Sequence, residues 1–130
     1  MYNHYIKNPE FISFTRKNGR NEFIDFLNSL SKKDREKLLL LLNKVRDNGM
    51  LLAQKMQWVK KIDDNLYELR SKLGTNIQRV IYFHAYENKY VITHGFTKKT
   101  QRTPVIEISR AIRIRQEYYE YLEKKDEERN

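Results

Sequence analysis

The sequence predicts an α+β fold, with helices packed against an antiparallel sheet. Three observations carry this. Apolar residues fall at helical spacing before residue 50, three consecutive runs between 66 and 96 are rich in β-branched and aromatic residues, and a helical stripe follows Pro104. Such a fold class names no reaction by itself.

FISFT, residues 11–15, reads as a short first strand, and RKNGR after it as a turn in which Gly19 can take a positive φ. Asn21 then caps a helix whose Phe23, Phe26, Leu27 and Leu30 fall at i, i+3, i+4 and i+7. Ser31, with Asp34 three residues on, approximates a capping box, and Gly49 offers a stop, so residues 32–48 form a second helix. Its core stripe is Leu38, Leu41, Leu42 and Val45. Leu39 and Leu40 lie off that stripe and must touch either the first helix or a partner. Residues 50–65 lack a clean period and read as a loop or extended crossing anchored by Trp58.

LYELRS (66–71), IQRVIYFHAY (77–86) and KYVITHGF (89–96) are three strands of a small antiparallel meander, with Glu87-Asn88 as a two-residue hairpin turn. That turn sets a register. Arg79 falls opposite Phe96, His94 opposite Ile81 and Lys98 opposite Ile77, which puts Arg79, His94 and Lys98 on one sheet face. From Pro104 a C-terminal helix begins, with Ile108, Ala111, Ile112, Tyr119 and Leu122 on its stripe. Arg110 and Arg113 face away from it. Arg115 lies close to the stripe, positioned to snorkel over the core or reach a bound phosphate. The tail, residues 124–130, is a solvated, fraying run of mixed charge.

At 130 residues the chain has the length of one domain, since domains most often hold about 100–150 residues, and we expect a single domain over 1–130. The net charge of +9 is uneven, because residues 70–115 hold ten Lys and Arg against Glu87 and Glu107. Clustered basic charge is the footprint of a polyanion binder, nucleic acid above all. The absence of cysteine excludes a disulfide framework and thiolate catalysis, and makes a reducing cytoplasm the expected compartment. The start of the chain has no apolar targeting core, and no run approaches the ~18 apolar residues of a membrane span, so no membrane is expected.

A face carrying Arg79 and Lys98, rimmed by Arg70, Lys99 and Arg102, suits an RNA strand and the extra negative charge that phosphodiester cleavage develops. RNA carries its own nucleophile, the 2′-hydroxyl, so a protein need supply only a base, an acid and positive charge. Glu68 shares strand parity with Arg70 and serves either as base or as the ion pair that holds Arg70. His94 titrates near neutral pH and is either acid–base catalyst or packed strand residue. His84 has the opposite parity, and His4 sits near the chain start. Tyr82, Tyr86 and Tyr90 either stack on bases or pack in the core, and Lys60 and Lys61 either extend the basic track or solvate a loop. With no phosphate-cradling glycine loop, carboxylate cluster or nucleophile elbow in the sequence, no metal and no cofactor is expected.

LYELR, QRVIYF, GFTKKTQRTP and EISRA occur in this order. Together they resemble the RelE/HigB superfamily of toxins, in its phage-derived HigB-like branch, over about residues 58–115, and the helices at 21–48 match the N-terminal helical hairpin of that RelE-like fold. The resemblance implies the toxin of a type II toxin–antitoxin pair, an endoribonuclease that cuts mRNA in the A site of the translating ribosome. By motif position, Arg79 matches the strand arginine on the scissile phosphate, Lys98 and Lys99 the basic pair closing the next strand, and Arg70 a basic position on the strand before. Some members place a tyrosine or histidine just after the basic pair, where this chain has Gln101-Arg102-Thr103-Pro104; Glu68, His94 and a lysine stay open as proton donors. The implied partner is a helix-turn-helix antitoxin through which operator DNA is bound, docking on the leucines of 38–42, on the terminal helix or over the basic face.

Overall fold

The structure, a computed structural model, describes residues 8–129; His4 lies outside them. Side-chain caps fix the first two helices where the sequence puts them. Asn21 accepts from the Ile24 N–H to open α1 (Glu22–Ser29), and the Ser31 hydroxyl accepts from the Asp34 N–H to open α2 (Lys32–Asn48). Each satisfies a backbone donor that a helix start leaves free.

Residues 50–65, expected as a loop or extended crossing, begin as a helix and only then run extended. Gly49 leads into α3 (Met50–Lys55), and the chain then crosses into a strand at Val59–Asp63. Six residues are too few to display a helical period, and Lys60 and Lys61, both exposed on that edge strand, mask its alternation.

Five strands form one sheet in the order β1-β5-β4-β3-β2, built from β1 (Glu10–Ser13), β2 (Val59–Asp63), β3 (Leu66–Leu73), β4 (Asn76–Tyr86) and β5 (Lys89–Thr97). The expected antiparallel meander is its centre. Against expectation the sheet is mixed, because β1 pairs parallel with β5 across most of the chain, a long-range pairing that no local pattern announces. Gly74, at φ 61°, and Thr75 turn β3 into β4, and Glu87-Asn88 turns β4 into β5. Arg79 stands opposite Phe96 and Ile81 opposite His94, and the Lys98 N–H donates to the Ile77 carbonyl at 3.2 Å.

The core is split by the sheet. On one face Phe23, Leu27, Leu38, Leu42, Val45 and Ala53 of the three early helices pack on Leu69, Val80, Tyr82 and Ile92. Gly95 belongs to this contact: the Phe26 ring occupies the space of a Cβ there, with its nearest carbon 2.2 Å away, so only glycine lets α1 lie this close. On the other face α4 (Val105–Arg129) lays Ala111, Ile114 and Tyr118 over Leu66, Ile81, Phe83, Val91 and Phe96. Its buried stripe is rotated from the expected one, leaving Ile112 at 40 % exposure with Ile108, Tyr119 and Leu122 at the margin. The helix continues to Arg129, so the tail expected to fray is helical, its side chains exposed. No helix among the described residues is long and apolar enough to cross a membrane.

Candidate functional site

Strand alternation sends Glu68 and Arg70 of β3, Arg79 of β4 and His94 of β5 to the face that α4 covers. Past Thr97 the chain runs as a strap, residues 98–104, over the end of this face before entering α4. The basic stretch of the sequence is therefore a cover as well as a source of charge.

Beneath the strap, Glu68 is a fully buried hub. Its Oε1 accepts from Arg70 Nε and, at 3.5 Å, from Arg79 Nη1, and its Oε2 accepts from the Thr103 hydroxyl at 2.6 Å. Of the two roles open to Glu68, the ion pair that holds Arg70 is formed. Arg70 Nη2 donates to the main-chain carbonyl of Gln101, and Arg79 Nη1 reaches that same oxygen at 3.5 Å. One strap oxygen thus sits between two guanidiniums.

Arg79 is wholly buried, and its Nε and Nη2 have no hydrogen-bond partner among the described residues. Burial pulls its guanidinium below the ordinary arginine range, against the attraction of Glu68. Each bare buried donor costs about 1–3 kcal/mol. Arg70 keeps 17 % of its side chain exposed, and Lys98, Lys99 and Arg102 stand exposed on the strap. Arg70, Arg79 and the strap cations are thereby gathered at one end of the sheet.

Other sequence-selected residues are placed elsewhere. His94 is sealed beneath α4, its Nδ1 3.0 Å from the Thr93 hydroxyl and its Nε2 3.1 Å from Glu107 Oε1, so it is a packed strand residue closed off from a substrate. Tyr82 is also buried, between Phe11, Tyr67 and Tyr90, and offers no face to a base; burial raises its phenol far above the ordinary range. Tyr90 is half-buried in the same group, whereas Tyr86 is exposed at the hairpin end. Lys60 and Lys61 are exposed on β2 but point to opposite faces, since Lys60 pairs with Glu68 and Lys61 with Tyr67. Arg115 donates to the Asp64 and Asn65 carbonyls at 2.9 and 3.0 Å, pinning a turn instead of reaching toward phosphate.

The burial of His94 has a pH signature. Burial first and then the Arg110 guanidinium push its pKa down to about 3, against a smaller opposing pull from Glu22. The unfolded chain takes up this proton below about pH 6.5, whereas folded His94 stays neutral until about 3, so stability falls as pH drops through that window. Between pH 6.5 and 5 the loss is about 1.5 kcal/mol. Urea midpoints at those two values measure it, and His94→Gln should flatten the difference. The carboxylates held low by arginines, Glu22 and Glu117, act only below their ordinary range near 4.5.

Gln101 and Thr103 build the site as much as the arginines do, and sequence reasoning missed their part. Pro104 restricts Thr103 to extended backbone, a weak local sign that its hydroxyl turns back to β3. Beside Arg70 and Gln101 opens a cleft of about 530 Å³ whose lining includes Lys37, Lys44, Trp58 and Lys72. Its signal was readable, because Lys37, Leu40, Leu41 and Lys44 follow i, i+3, i+4, i+7 on one face of α2. Among the described residues no group of three or more His, Asp or Glu side chains is arranged to hold a metal ion.

The family model described as "Phage derived protein Gp49-like (DUF891)" matches residues 25–116, well over half of the 130. The chain belongs to this family. Gp49-like proteins are RelE- and toxin-like proteins, and the match takes in Glu68, Arg70, Arg79 and the whole strap while leaving out β1. The curated proteins include no match to this Gp49-like chain.

Proposed function

We propose that this Gp49-like protein is the toxin of a type II toxin–antitoxin pair, of the HigB-like branch, and cleaves mRNA on the translating ribosome without a metal. The observation that carries the reading is the Gln101 carbonyl held between Arg70 and Arg79, with Lys98 and Lys99 on the same strap. In the reaction the RNA 2′-hydroxyl gives up its proton and its oxygen attacks the phosphorus, the bond to the 5′-oxygen breaks, and that oxygen takes up a proton, so the products are a 2′,3′-cyclic phosphate and a 5′-hydroxyl with no net proton consumed. Extra negative charge collects on the two non-bridging oxygens, where guanidinium and ammonium donors lower the barrier. For Arg79 to touch RNA the strap must shift, a phosphate oxygen replacing the Gln101 oxygen between the two arginines. Glu68 acts as a positioning residue, since both of its oxygens are taken. A cytoplasmic helix-turn-helix antitoxin completes the proposal, and exposed Leu39 and Leu40 on α2 are available to it.

The burial of Arg79 favours a second reading, a non-catalytic RNA-binding or co-repressor protein on the same fold. One experiment separates the two. In a purified translation system the toxin cuts mRNA only when ribosomes are translating, and its induced expression arrests growth. Intact mRNA with the protein bound to ribosomes or to free RNA would instead establish the second reading.

A further inference from the structure

The cleft of about 530 Å³ between α2 and β3 adjoins the strap site through Arg70 and Gln101, and the rest of its lining is not used by the chemistry above. It falls within the ~300–1,000 Å³ of ligand clefts. Its walls carry Lys37 and Lys44 from α2 and Arg70 and Lys72 from β3, and no Asp or Glu lines it. Trp58 also lines it, half-buried, with Lys44 Nζ 4.5 Å from its ring centroid.

One wall is an open strand edge. β2 pairs with β3 only over Leu66–Leu69, and the last bond along this edge runs from the Arg70 N–H to the Trp58 carbonyl at 3.2 Å. By strand alternation the main-chain groups of Lys72 face the same edge beyond the end of β2. The cleft therefore combines ammonium groups, backbone polar groups and an aromatic face, the parts that hold an extended strand with unstacked bases. Its far end meets Arg70 and Gln101, which belong to the strap site.

We propose that this cleft seats a single-stranded RNA segment flanking the cut position, its phosphates on Lys37 and Lys72 and one base on Trp58. Lys44 swings off the ring as the base arrives and takes up a neighbouring phosphate. An acidic peptide fits less well, because it would use the cations but leave the indole face without a planar partner. The assignment of RNA as occupant rests on the ribonuclease reading above.

Trp58 is the single tryptophan of the chain, so intrinsic fluorescence reports this cleft. The full protein is titrated with a 2′-O-methyl decauridylate, which has no free 2′-hydroxyl and cannot be cut. Saturable quenching is expected, with an affinity that falls as salt rises. Lys37→Gln and Lys72→Gln, both at exposed positions, should each reduce the slope of log K against log salt by about 0.7. Trp58→Ala should weaken binding about 10-fold, read by the anisotropy of a labelled oligomer, and Trp58→Phe should recover most of it. Absent quenching, unchanged slopes in both lysine variants, or equally tight binding of decaglutamate overturns the proposal. Failures of the two readings are distinct. A protein that cuts mRNA on ribosomes without quenching loses only the cleft, and one that quenches but cuts nothing loses only the nuclease.

Discussion

Arg79→Met is expected to slow cleavage about 10²–10³-fold and yet leave the protein at least as stable as its parent. The two halves of that result share one cause. Arg79 is fully buried with two nitrogens unpartnered among the described residues; its hydrogen bonds to Glu68 and the Gln101 carbonyl are both at the 3.5 Å limit, and the Phe96 ring lies 6.0 Å from its guanidinium. Methionine fills a similar volume with no polar atom to satisfy. Glu68 retains Arg70 and Thr103 as partners, so its charge is not stranded. Folding therefore loses little when the guanidinium is removed, while a transition state gathering negative charge loses a donor.

A costly residue of this kind is retained for function more readily than for stability. Single-turnover cleavage on programmed ribosomes and urea midpoints, read on the same preparations, test the pair of effects. An unchanged cleavage rate would take Arg79 out of the site. A loss of more than about 1 kcal/mol would mean that its long contacts stabilise more than its bare donors cost.

The register that brings these residues together was legible in the sequence, and the cover above them was not. A two-residue turn at Glu87-Asn88 determines which residues face one another, and Arg79 opposite Phe96 follows by counting. The count survives because β4 and β5 carry two register shifts that cancel before Arg79 is reached. Sheet face is a matter of parity, so Arg79 and His94 were placed together correctly and Glu68 with Arg70, whereas Lys98, expected on the same face as Arg79, lies past the end of β5 on the strap. Whether a face is open or roofed depends instead on the path of the strap and the rotation of α4. Residues 98–104 have no periodicity to read, and the α4 stripe differed enough to expose Ile112. His94 was thus assigned to the right face with no means of knowing that it was sealed, and of the two roles left open for Tyr82 the packed one is formed. The α2 cleft failed for the opposite reason, since its cationic stripe was readable but its second wall is formed by β3 and the strap.

Glu68→Leu is expected to destabilise the fold by about 3–5 kcal/mol, the cost of leaving a buried cation without its counter-charge. This is a large share of the ~5–15 kcal/mol that hold a typical domain together, and it should lower Tm by roughly 10–20 °C. Leucine nearly conserves volume, so the loss reports charge and hydrogen bonding more than a cavity. Arg70 Nε and the Thr103 hydroxyl lose their acceptor at once, Arg79 Nη1 keeps only the Gln101 carbonyl, and the strap loses its Thr103 tie to β3. The double variant Glu68→Leu/Arg79→Met removes both buried charges and should recover well over half of the loss. A coupling above about 2 kcal/mol in that cycle identifies the pair as interdependent, whereas additive losses would sink the hub assignment. Glu68→Gln separates positioning from proton transfer. The amide keeps an acceptor for Arg70 but not the charge, so some stability is lost under either role; a positioning residue then retains part of its cleavage with an unchanged pH profile, while a general base loses nearly all of it and the acidic limb of the profile with it.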